Sequence, residues 1–159
     1  MSIAERLKDA KLLYDQQRFE GALLSVVVAA SATSRIRFPR GSGNKNGDRE
    51  AFEAFLDAEF SKIGPCPLAY NGQTYSLEQF LYKWIRCQLA HEGAIPFDIV
   101  FRCPEDPMSA EISWGCSGPA QVTMDHTMIL LIAHAVASAP ENACVPDELR
   151  QSFRPETVS

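Results

Sequence analysis

The order of apolar and polar positions divides the chain into helical stretches with one interruption. Ile3, Leu7, Ala10 and Tyr14 recur every three or four positions, which predicts an amphipathic helix over residues 3–15. After a short connection at 15–18, a long helix is predicted over 19–37. Phe19, Ala22, Leu23, Val26, Val27 and Ala30 form its stripe, and Leu24, Val28 and Ala29 widen it. Such a helix is expected to be buried on most sides over its first half. It ends in Arg35 and Arg37, cations that suit the carbonyl end of a helix.

The polar, glycine-rich segment 39–47 reads as a loop. Asp48 is the expected N-cap of a helix over 49–63, with Phe52, Phe55, Leu56, Phe60 and Ile63 on its apolar face and Gly64-Pro65 as its stop. Asn71-Gly72, between Tyr70 and Gln73-Thr74-Tyr75, signals a tight hairpin. Ser76, with Gln79 three positions on, is a capping box. Leu77, Phe80, Leu81, Trp84, Ile85 and Leu89 then keep the helical period up to Glu92-Gly93, where glycine ends the helix.

Beyond Pro96 the period changes to two. Phe97, Ile99, Phe101 and Cys103 alternate, as do Ile112, Trp114 and Cys116, which predicts an antiparallel β-hairpin turning at 104–109, with a third short strand at 120–123. Residues 124–138 return to a helix that is apolar nearly all round. Pro140 ends it, and a short helix at 147–153 and a polar tail follow. The expected fold is therefore mainly α. It is one domain over residues 1–159: an up-and-down bundle of about five helices with a small antiparallel β-hairpin insertion around 96–123.

Composition narrows the class. With 159 residues, 46% apolar and 22% charged, the chain can bury a core and is neither disordered nor a disulfide mini-protein. The longest nearly apolar run, 128–139, is shorter than the ~20 residues that span a bilayer, and the start MSIAER lacks a signal peptide's apolar core. A cytoplasmic protein with no membrane partner is expected. The five cysteines are odd in number and include no Cys-x-x-Cys, so neither a zinc site nor a redox motif is indicated. No metal or other cofactor is expected.

The net charge of −5 argues against a dedicated duplex-DNA binder. Its distribution leaves other nucleic acids open. Arg35, Arg37, Arg40, Lys45 and Arg49 outweigh Asp48 to give +4 over residues 35–49, whereas 92–125 carries −5. A local basic patch attracts phosphate even on an acidic protein.

The segment 82–93 (YKWIRCQLAHEG) holds the main candidate chemistry. On an ideal helix Arg86 lies ~150° from the centre of the apolar stripe and so faces solvent or a second chain. His91 lies ~140° from Arg86, nearer the stripe. Gln88 sits on the stripe, where its amide needs a hydrogen-bond partner. The remaining histidines, His126 and His134, are eight apart, ~80° on a helix, and read as packed or interface side chains. Glu50, Glu53 and Asp57 read as a solvated helix face.

The Arg-x4-His element on an amphipathic helix resembles the signature of the HEPN superfamily (higher eukaryotes and prokaryotes nucleotide-binding). So do the elements before it: Leu12-Leu13-Tyr14, Arg18-Phe19-Glu20 and an alanine-rich helix. The resemblance covers about residues 5–93 and the helix at 124–138. It implies a helical bundle that dimerises, and in many members a metal-independent endoribonuclease of toxin–antitoxin, defence or RNA-processing systems. Arg86 would then hold the scissile phosphate and neutralise developing charge. His91 would transfer protons at the ribose 2′-hydroxyl or the leaving oxygen, a task suited to a reference pKa of ~6.5. Arg35, Arg37, Arg40, Lys45, Arg49 and Gln88 would contact substrate. Active members often carry Asn, Asp or His after the arginine, where this chain has Cys87. That departure keeps two alternatives open: a non-catalytic dimeric interaction module that binds a protein partner, and a nucleotide-binding regulator.

Overall fold

The computed structural model describes residues 2–41, 47–61, 67–102, 115–116 and 122–154. Helix α1 (Ile3–Asp15) opens with a capping box: the Ser2 hydroxyl accepts from the Glu5 N–H at 3.2 Å and the Glu5 carboxylate accepts from the Ser2 N–H at 2.6 Å. Its end folds back in a paired turn. Arg18 N–H donates to the Leu13 carbonyl and Gln17 N–H to the Tyr14 carbonyl, both at 2.8 Å. The motif places Gln17 at φ 58°, a left-handed conformation usually given to glycine. The chain thus enters α2 (Phe19–Arg37) at once.

Helix α2 runs through the middle of the fold and packs against α1, α3 and α6. Ala22, Leu23, Val26, Val27, Ala29 and Ala30 are all fully buried, as the widened stripe predicts. This helix, rather than the run at 128–139, is long and apolar enough to cross a membrane by length and composition; half of its apolar window is buried within the protein. Its buried polar groups are paired. Thr33 donates to the Ala29 carbonyl at 2.9 Å and accepts from Asn142 Nδ2 at 2.8 Å, and Asn142 also donates to the Val136 carbonyl at 2.7 Å.

Arg37 closes α2. Its Nε and Nη2 meet the two carboxylate oxygens of Glu141 at 2.7 and 2.9 Å, and its Nη1 meets Glu59 at 2.8 Å. The guanidinium also lies over the Phe55 ring, 4.8 Å from its centroid. One side chain therefore ties α2 to α3 and to the turn after α6. The hydrogen bond from Arg37 holds the Glu141 carboxyl below the usual carboxylate range.

Helix α3 (Asp48–Phe60) buries Ala51, Phe52, Phe55, Leu56 and Phe60. Its cap differs from expectation. The N-cap is Gly47, whose N–H donates to the Glu50 carboxylate, and Asp48 is the first helical residue. The Asp48 side chain is free of capping because two arginines claim it. Strands β1 (Leu68–Tyr70) and β2 (Gln73–Tyr75) pair antiparallel, with Asn71 and Gly72 at φ 50° and 70°. Positive φ at both central residues is what a two-residue hairpin of matching twist requires.

A continuous helix over 77–91 follows from the Ser76 capping box. It comprises α4 (Leu77–Phe80), a π-helical segment (Leu81–Arg86) and α5 (Cys87–His91). Gly93, at φ 75°, ends it. Spacing alone does not foretell the π segment.

Among the described residues, the two strands expected to form the hairpin do not pair with each other. Strands β3 (Ile99–Arg102), β4 (Gly115–Cys116) and β5 (Val122–Asp125) make a sheet in the order β3-β5-β4. The last strand lies in the centre, parallel to β3 and antiparallel to β4. Alternation identifies strands but not their partners, and β5, with Val122 and Met124 buried, takes the inner place. Cys103, Ile112, Trp114 and the turn at 104–109 lie outside the described residues.

Helix α6 (Thr127–Ser138) starts three residues later than predicted, because Met124 and Asp125 belong to β5; Asp125 caps the start by accepting from the Thr127 N–H at 2.8 Å. A 3-10 turn (Pro140–Asn142) and α7 (Asp147–Ser152) complete the fold. The architecture is mainly α. With 77–91 taken as one helix, there are six among the described residues, one at each place the apolar pattern predicts.

Replacing Arg37 by Met should lower stability by about 2–3 kcal/mol, since two carboxylates lose a charged donor. Glu141 has a lower pKa folded than unfolded, so the stability from this pair is complete above the ordinary carboxylate range. It is lost as pH falls through the folded pKa. Chemical denaturation from neutral to acid pH should show that loss in the wild type and a smaller one in Arg37→Met.

Candidate functional site

The end of α2 and the start of α3 bring two arginines onto one carboxylate, and a third acts on it from farther away. Arg35 Nε lies 2.9 Å from Asp48 Oδ1, and Arg35 Nη1 also donates to the Phe38 carbonyl at 3.1 Å. Arg40, three-quarters exposed, donates to both Asp48 oxygens at 2.8 Å. Arg86, on the helix at 77–91, stands farther off and makes no ion pair with Asp48 among the described residues. Its charge acts on Asp48 through space while its guanidinium stacks 5.3 Å from the Tyr82 ring centroid. The Asp48 carboxyl is accordingly held below its usual range. The Arg40 hydrogen bond is the chief cause, partial burial opposes it, and Arg35 and Arg86 add to it.

Arg86 is half-buried against Tyr82, not projected wholly into solvent as an ideal helix predicts. The two residues are four apart at the end of the π segment, and a ring face attracts a guanidinium. Tyr82 itself packs against Phe52, with ring centroids 5.5 Å apart. Burial raises its pKa first; Arg86 and Arg49 pull it down and Asp48 pushes it up, which places this ring amid the cluster's charges.

The other predicted site residues are distributed around this cluster. Arg49 pairs with Glu53 at 2.6 Å, one turn along α3. Arg37 is committed to Glu59 and Glu141, away from Asp48. Lys45 lies outside the described residues. Gln88 is half-buried, so its amide is not enclosed among apolar groups. His91 is exposed in the last helical turn. Among the described residues, no hydrogen bond or ion pair joins Arg86 to His91. The structure thus unites Arg35 and Arg40 on Asp48, sets Arg86 on Tyr82 within reach of their field, and leaves His91 apart from them in contact terms.

Two members of the cluster were not anticipated. Asp48 reads as a cap from sequence, and Tyr82 has no assigned role there. The i, i+4 spacing of Tyr82 and Arg86 is the signal that points to the stacking. The other histidines behave as packed groups. His126 Nδ1 hydrogen-bonds the Tyr14 hydroxyl at 2.5 Å and its ring stacks on Phe19 at 4.9 Å. Among the described residues, no group of three His, Cys, Asp or Glu side chains is placed to hold a metal ion.

A family model, Rv1289, matches residues 2–152 of the chain. The chain belongs to the Rv1289 family. The Rv1289 match runs from the cap of α1 to the end of α7 and so takes in every member of the arginine cluster. No curated protein and no solved structure matches the chain.

Two guanidinium groups on one carboxylate, with the charge of Arg86 beyond them, leave an excess of positive charge, with Asp48 in the place an external anion would take. Asp48→Asn removes that competitor and keeps the side chain's size. It should tighten binding of a polyphosphate at low salt by about fivefold or more, read by calorimetry, since one charge at close range is worth about 1 kcal/mol even at the dielectric of water.

Proposed function

We propose that this protein is a HEPN-like RNA-binding protein that works in the cytoplasm as a dimer, with metal-independent endoribonuclease chemistry at Arg86 and His91. The observation that carries the reading is the pairing of Arg35 and Arg40 on the Asp48 carboxylate, with Arg86 near enough for its charge to act on the same group. A phosphodiester offers the same paired oxygens that Asp48 now presents, and guanidinium groups bind both in forked geometry. Arg86, held by Tyr82, loses little freedom on binding and would neutralise charge on the phosphate as it develops. His91 sits on the same helix with its ring open to solvent, available to take a proton from a ribose 2′-hydroxyl or to give one to the leaving oxygen. The chain itself does not link His91 to Arg86, so completion of the pair falls to a second copy or to bound RNA.

A non-catalytic interaction module is the second reading. It is favoured by Phe97, a large apolar side chain left 95% exposed.

The two are separated by binding and cleavage of a single-stranded RNA in EDTA. The proposal predicts binding that weakens about 20-fold over a fourfold rise in salt, as release of about three counterions requires. Arg86→Ala should weaken it about tenfold, the scale of one charged hydrogen bond. His91→Ala should abolish cleavage and leave binding in place. Binding without cleavage by the wild type would remove the nuclease part, and no binding at low salt would overturn the whole reading.

A further inference from the structure

Arg86 is the cation of the cluster that has no acid of its own. The described arginines of the basic stretch are all paired: Arg35 and Arg40 with Asp48, Arg37 with Glu59 and Glu141, Arg49 with Glu53. The Arg86 guanidinium makes no hydrogen bond and no ion pair among the described residues. Yet it is half-buried, and Asp48 is near enough to feel its charge.

An aromatic ring takes the place of the missing acid. The Arg86 Cζ lies 5.3 Å from the Tyr82 ring centroid. A ring face attracts the cation but leaves its N–H fork without an acceptor. Tyr82 is itself held against Phe52, which is fully buried. Phe52 follows Asp48 by four residues on α3, so the two lie on one side of that helix. The ring thus meets α3 on the side that carries Asp48. The Tyr82 hydroxyl has no hydrogen bond among the described residues, so the ring face alone engages Arg86.

Asp48 has room for a further donor. Its Oδ1 meets both Arg35 and Arg40, whereas its Oδ2 meets Arg40 alone among the described residues. A carboxylate oxygen accepts about two hydrogen bonds, so Oδ2 competes for any free guanidinium nearby. We propose that Tyr82 is a positioning residue whose ring face keeps Arg86 off the Asp48 carboxylate and so leaves the Arg86 N–H groups open to a phosphate of the nucleic acid. The use of those open groups rests on the RNA-binding reading; the restraint by the ring does not.

NMR of the full chain without RNA tests the restraint. In the wild type the Arg86 side-chain protons should show the upfield shift of a group lying over a ring. The conservative Tyr82→Phe should keep that shift and the wild-type titration of the Asp48 carboxyl. Tyr82→Leu should lose the shift. Its Asp48 midpoint should move further below the ordinary carboxylate range, because Arg86 then joins Arg35 and Arg40 on the same group. Adding Arg86→Ala to Tyr82→Leu should reverse that move. Single-stranded RNA should bind Tyr82→Leu about threefold more weakly than the wild type, the worth of one partly exposed cation–π contact, and Tyr82→Phe should restore the affinity. Absence of the ring shift in the wild type, which needs no variant to fold, would overturn the proposal. So would an Asp48 midpoint that Tyr82→Leu leaves in place or raises, or RNA binding that Tyr82→Leu leaves unchanged. The two NMR signatures in a wild type that binds no RNA would leave the restraint standing and overturn its use for RNA.

Discussion

The way α2 ends constrains the rest of the molecule. Its apolar residues must be enclosed by neighbouring helices, yet its last turn carries two arginines that cannot follow them into the core unpaired. Arg37 resolves this with the Glu141 and Glu59 carboxylates and the face of Phe55. That fixes α3 on one flank and the turn after α6 on the other. Arg35 resolves it with Asp48, which fixes the start of α3. The two arginines thus orient the same helix at its two ends, Asp48 near the first turn and Glu59 near the last.

The candidate site follows from this arrangement. Once Asp48 is drawn to Arg35, the start of α3 lies where Arg40 and the Arg86 of a third element also act on it. A carboxylate paired with two cations and acted on by a third is a structural counterion, and its replacement by a phosphate is what the proposed function requires. The net charge of the chain conceals this. An acidic protein with a locally cationic cluster is suited to a phosphate at close range and poorly suited to long-range attraction of duplex DNA.

Much of the fold was legible in the sequence because it depends on local rules. The boundaries of α1 and α2, the Asn71-Gly72 turn, the Ser76 cap and the stop at Gly93 each follow from one or two residues with a defined backbone demand. The failures share a different cause. The strand order depends on contacts between segments distant in sequence, and β5, with Val122 and Met124 buried, lies between β3 and β4. The π segment at Leu81–Arg86 departs from the ideal helix on which the directions of Arg86 and His91 were counted. The basic stretch 35–49 was visible as charge, but its division was not. Arg37 serves the core and Arg35 and Arg40 share Asp48, and both outcomes depend on acidic residues distant in sequence or read as caps.

In the proposed function, Arg35, Arg40 and Arg86 act as one phosphate-binding unit with Asp48 as its internal competitor. NMR of the arginine side-chain Nε–H groups during titration with a short single-stranded RNA tests it most directly. The account predicts that the Arg35, Arg40 and Arg86 signals shift together with one apparent affinity, while the Arg37 signal, locked to Glu141, stays in place. Shifts confined to other arginines, or separate affinities for the three, would contradict it.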